Sequence, residues 1–178
     1  MALNEGDLDA LTPDWRGARD SIIRHLRQGH SVNLVVEPEA PGLELIAQIK
    51  KNYLPALGLV DLNDDATISR QGLVSAMLRA CGSPTLAPPE PEDLVTFTLE
   101  LRERPAPAFL ALLHFDLVAT RKRQYEIDLF AALRDLITEK RKLVLLIHSQ
   151  RHFIELLPSD HPLSSITDLK TVELPGRS

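Results

Sequence analysis

The stretch most open to a chemical reading is VVEPEAPGLELI, Val35 to Ile46. A β-branched apolar run precedes it and a helical pattern follows, the junction at which a phosphate-binding loop GxxxxGK[ST] sits. On that template Glu37 replaces the first glycine, Gly42 matches the second, Leu43 replaces the lysine and Glu44 the hydroxyl residue. A loop that cradles oxyanions needs free backbone N–H groups, glycines for close approach and a lysine for the outer phosphates. Pro38 and Pro41 remove two N–H donors. Glu37, Glu39 and Glu44 add negative charge where a triphosphate would rest, at about 1 to 4 kcal/mol per like-charge pair a few Å apart. Two readings stand: a nucleotide site stripped of its chemistry, or an ordinary strand-to-helix turn.

Other candidates lie further along the chain. Asp116 closes the apolar run AFLALLHFD, where an acid either assists a metal ion or caps the following turn. His114 and His148 fall near the ends of two strand-like runs and, with Asp116, could hold a metal; a hydrogen-bonded structural role is the alternative. Ser149 beside His148 suggests a nucleophile and base, but adjacent strand residues face opposite ways. Arg121, Lys122 and Arg123 make a basic turn, read as solvated or as a contact for an acidic partner or a phosphate. Cys81 reads as a buried small hydrophobe.

These positions are held by a regular alternation of elements. Trp15, Ala18, Ile22 and Leu26 recur at helical spacing behind a Thr12–Pro13 start, and Gly29 ends the pattern. Val32 to Val36 is a strand, followed by a helix over about Leu43 to Tyr53 with Leu43, Ile46, Ala47 and Ile49 inward. LGLVDL, Leu57 to Leu62, is a second strand, and Leu73, Met77, Leu78 and Cys81 share a helix face. The proline-rich SPTLAPPEPED leads to a helix from Asp93 to about Arg104 with Leu94, Phe97 and Leu101 on its face. Then come a strand, Ala108 to Asp116; a helix, Tyr125 to Lys140, with Ile127, Phe130, Leu133 and Ile137 inward; a strand, Lys142 to Ser149; a short helix at HFIELL; and a last strand, Leu169 to Leu174. Five strands alternating with helices predict one three-layer α/β/α domain with a mostly parallel sheet.

Composition narrows the functions. The chain has 178 residues, enough for a single domain over 1–178, with 1–12 and 176–178 expected to be flexible ends. A net charge of −5 argues against broad binding to nucleic acid or anionic lipid. With 4% aromatic residues, stacking platforms for single strands are not expected. One cysteine rules out an intrachain disulfide, and no apolar run reaches membrane-span length, so a cytoplasmic protein is expected.

The order of elements and several strings resemble the ATPase core of the P-loop AAA+ and STAND group over about Trp15 to Pro175. WRGARDSIIRHLRQG is similar to that group's opening helix and its preceding GR box, through Gly17 and Arg19. HSVNLVV runs into the phosphate loop, FLALLHFD resembles the strand closing in aspartate-glutamate, and LVLLIHS the strand with a polar sensor, here Ser149. The resemblance implies strand order 5-1-4-3-2 with the first strand at the centre. It makes Asp116 the magnesium-assisting acid and puts Leu117 where a glutamate would polarise water; leucine cannot accept a proton. The chain ends in LPGRS, so the group's helical lid is not expected. Together these imply an ATPase-like domain with degenerate Walker motifs and no catalytic residue, cofactor or metal, working as an adaptor or regulatory subunit on a protein partner such as an active ATPase. The alternative is atypical ATP and magnesium binding completed by a neighbouring subunit. Association with nucleic acid ranks third.

Overall fold

The computed structural model describes residues 13–36, 42–83 and 93–174. Most of the phosphate-loop candidates, Glu37, Pro38, Glu39 and Pro41, lie outside the described residues, as do the expected flexible ends and most of the proline-rich connection. The chain forms α1 (Pro13–Arg27), β1 (Val32–Val36), α2 (Gly42–Asn52), β2 (Leu57–Asp61), α3 (Arg70–Ala80), α4 (Asp93–Glu103), β3 (Ala108–Leu113), α5 (Asp116–Thr120), α6 (Ile127–Arg134), β4 (Leu143–Ser149), α7 (Phe153–Leu156) and β5 (Lys170–Leu174). All four pairings are parallel, in the order β2-β3-β4-β1-β5. This is the expected 5-1-4-3-2 arrangement, except that β4 takes the middle and β1 stands between β4 and β5.

A parallel sheet covered on both faces needs apolar side chains in both directions. β4 supplies them: all seven of its residues are buried, with Val144 and Leu146 in one core cluster and Leu143, Leu145 and Ile147 in the other. The first cluster lies under α1 and α2, where Ile22, Leu26, Ile46 and Ile49 meet Val32 and Leu34 of β1. The second lies under α3, α4, α6 and α7, with Met77, Phe97, Leu101 and Leu133. No helix among the described residues is long and apolar enough to cross a membrane.

Four expectations need correction. On α2 the buried positions are Gly42, Leu45, Ile46 and Ile49, while Leu43 and Ala47 are exposed; Gly42 seats tightly inward and turns the face by one residue. β3 ends at Leu113, not Asp116, because His114 takes a left-handed backbone (φ 56°) that breaks the strand and lets Asp116 open α5. The helix expected over Tyr125 to Lys140 begins at Ile127, 60% exposed instead of inward, and passes into a π-helical turn over Asp135–Glu139. Cys81 caps α3 half-buried against the core, and burial pushes its thiol up to about 11.

Candidate functional site

In an open α/β sheet, ligands meet the carboxyl ends of the strands. Here that edge brings together Val36 at the end of β1, Gly42 at the start of α2, Asp61 ending β2, His114 after β3 and His148 on β4. His148 shares the side of Val144 and Leu146, so its ring points toward α2. A Cβ on Gly42 would lie 2.8 Å from Val36 Cγ2 and 3.2 Å from His148 Nε2. The ring therefore occupies the ground directly against the first residue of α2.

A chain of contacts holds that imidazole. Its Nδ1 accepts from the His114 backbone N–H at 3.3 Å, and its carbonyl accepts from Phe115 N–H. The left-handed turn at His114 is what aims these two N–H groups back at one residue. The two imidazoles meet edge to face with centroids 5.6 Å apart. His114 Nδ1 lies 2.7 Å from Asp61 Oδ1; a carboxylate only accepts, so that nitrogen carries the proton. Burial, then the His114 charge, lowers His148 to about 4 against the opposing pull of Asp116 and Asp61. At neutral pH it is an uncharged ring.

Ser149 points to the opposite face and is fully buried. Asn33, a lone amide in the apolar strand β1, donates from Nδ2 to Ser149 Oγ at 2.8 Å and to the Ile147 carbonyl at 3.3 Å, while its Oδ1 accepts from Phe153 N–H at 3.0 Å. Ser149 Oγ in turn donates to the Arg151 carbonyl at 2.7 Å. The sensor-like serine is thus a tie between β1, β4 and the start of α7, and it shares no hydrogen bond with His148. Asp116 accepts from Gln150 N–H at 2.8 Å through Oδ2, and its Oδ1 lies 3.8 Å from Arg151 Nε. It caps the turn after β4. Leu117, on α5, packs half-buried against the core.

The basic turn divides. Arg121 donates to the Leu62 carbonyl and to Tyr125 Oη, and Tyr125 Oη donates to the Thr67 carbonyl. Lys122 and Arg123 are exposed. Among the described residues no group of three His, Cys, Asp or Glu side chains converges as a metal site. At the head of α2 the donor set does not fit a magnesium nucleotide: Leu43 offers no cation, Glu44 is an exposed carboxylate, and fully buried Phe115 follows β3.

Two participants were missed by sequence reasoning. Asn33 had a visible signal, a single polar residue inside VNLVV. Asp61 had none, because its link to His114 crosses 53 residues.

No protein-family model and no curated protein matches the chain. Its fold is similar to that of solved structures. A chain in the structure of Drosophila ORC bound to DNA aligns with a TM-score of 0.61 and 14% identity, over 90% of this chain and 89% of that one. A chain in Drosophila ORC bound to GC-rich DNA and Cdc6 gives 0.58 and 15%, over 97% and 62%. The Walker-type ATPase of Pyrococcus abyssi gives 0.58 and 14%, over 87% and 53%. The chain therefore spans between 53% and 62% of the latter two. What is shared is the fold: a five-stranded parallel α/β sheet, as in those ORC and Walker-type ATPase chains.

Proposed function

We propose that this chain is an ATPase-like domain that neither binds ATP tightly nor hydrolyses it, and that acts as an adaptor or regulatory subunit by binding another protein. The observation that carries this reading is the neutral His148 ring seated against Gly42. Phosphate binding at a helix start depends on open amide groups and a nearby cation; here an uncharged ring, not a cation, packs beside the first residue of α2, and Leu43 stands at the lysine position. Hydrolysis would further need a free base beside the third strand, where Phe115 and Leu117 are apolar and Asp116 between them is engaged by the Gln150 N–H.

Fold without this chemistry leaves surface recognition as the remaining use of the scaffold. One similar chain belongs to an assembly that includes Cdc6, and an active ATPase of the same fold is the partner class we favour. A second reading, nucleotide binding completed by a neighbouring subunit, draws on the cavity of about 490 Å³ at the carboxyl edge, where Arg151 supplies a cation. Glu155 and Glu173 line the same cavity and oppose it.

Affinity purification of the tagged full chain from its native host, under gentle conditions with crosslinking, tests the proposal. A protein partner recovered in constant ratio is expected. Recovery of free monomer alone overturns it.

A further inference from the structure

The amino edge of the sheet, opposite the site above, carries a second concave feature. A cavity of about 370 Å³ opens there, lined among others by Arg27, His30, Phe109, Arg141, Val144 and Asp168. That volume is in the range of small-molecule sites, and its lining joins apolar walls to a few polar groups.

Three features distinguish it from a plain crevice between elements. Its rim is built in part from unusual backbone: Arg141 is left-handed at φ 52° without being glycine, and the π-helical turn Asp135–Glu139 sets Ile137 and Thr138 on the wall. Such departures gather where a ligand is handled. Its charge is unbalanced: the lining holds two exposed guanidinium groups, Arg27 and Arg141, and one acid, Asp168; Arg27 also donates to the Tyr53 carbonyl at 3.1 Å. Burial, then Arg24, His30 and Lys170, lowers the neighbouring His25. Third, the carbonyls that end α1 already have backbone partners: Gln28 N–H donates to Arg24 and His25, Gly29 N–H to Leu26 and His30 N–H to His25. The Arg141 side chain is exposed and makes neither a hydrogen bond nor an ion pair among the described residues.

We propose that this cavity binds a small organic carboxylate, its carboxyl group on Arg141 and Arg27 and its apolar body against Phe109 and Val144. A guanidinium matches a carboxylate in shape and charge. The site is independent of the nucleotide edge.

Amide-resolved NMR titration of the full chain with benzoate, and with benzamide as its neutral counterpart, tests this. Benzoate should shift the Gly29, His30, Thr138 and Arg141 signals in a saturable way, and benzamide should bind at least about tenfold more weakly, the worth of a charge-assisted hydrogen bond. Arg141→Asn removes the charge while suiting the left-handed backbone, so the fold is kept. It should weaken benzoate about tenfold or more and leave benzamide unchanged. Arg27→Gln is the second variant, expected to act in the same direction. Absence of saturable shifts with benzoate, equal binding of acid and amide, or undiminished benzoate affinity in Arg141→Asn each overturns the assignment.

Discussion

His148 gives the carboxyl edge a pH signature that can be isolated from the rest of the molecule. Its proton affinity falls from 6.5 when unfolded to about 4 when folded, chiefly through burial. The unfolded chain therefore binds the proton more readily than the folded one below pH 6.5, so stability is complete above that value and drains away as pH falls toward 4. Over a shift of this size, at about 1.4 kcal/mol per pH unit, the loss attributable to this ring reaches about 3 kcal/mol. His148→Asn keeps an acceptor for the His114 N–H and removes the titration. It also loses the ring's packing on Gly42, about 1 kcal/mol at pH 8. Urea unfolding monitored by circular dichroism at half-unit steps from pH 8 to 4.5 should then show the wild-type midpoint above the variant's at high pH and below it at low pH. The slopes with denaturant should agree, so that the midpoints report stability. His25 and His161 are lowered in the same direction, but they remain in both proteins and cancel in the difference. Two midpoint curves that run parallel from pH 8 to 4.5 would refute a buried neutral ring at this edge.

Three further outcomes follow from particular contacts. Asn33→Ala strips three hydrogen bonds from a fully buried position and leaves the Phe153 N–H unpaired; denaturant unfolding should show a loss of about 3 kcal/mol, and a loss under about 1 kcal/mol would contradict the tie described. Gly58→Ala places a Cβ 2.3 Å from the Ala80 carbonyl oxygen, so β2 and α3 must separate; a fall in Tm equivalent to about 2 kcal/mol or more is expected from calorimetry, and an unchanged Tm would refute the close approach. Reversing Lys122 and Arg123 to glutamate should alter stability by less than about 0.5 kcal/mol yet reduce partner recovery, whereas Arg121→Met should cost stability because its guanidinium serves Leu62 and Tyr125; unfolding curves beside pull-down yields separate the two effects.

The interior strands were legible because a parallel sheet buried on both faces demands unbroken apolar runs, and Val32–Val36 and Leu143–Ser149 are such runs. Strand order was not written in periodicity; it came with the likeness to P-loop ATPases. The misplaced boundaries share a cause. Hydropathy reports which residues are apolar and not where the backbone turns, so Phe115 extended the apparent β3 although His114 had already broken it. On α2 a buried glycine carries no hydropathy signal, and the inward face was assigned one residue away. The two histidines stand out in the sequence, but the roles of Asp61 and Asn33 do not, since their partners are brought near only by the β2-β3 and β1-β4 pairings.

Calorimetric titration of the full chain with ATP and magnesium bears most directly on the claim that this scaffold has lost its nucleotide chemistry. The account predicts no saturable heat at ligand concentrations up to about 1 mM, an interaction weaker than about 4 kcal/mol. A saturable isotherm with a dissociation constant on the order of micromolar would contradict it.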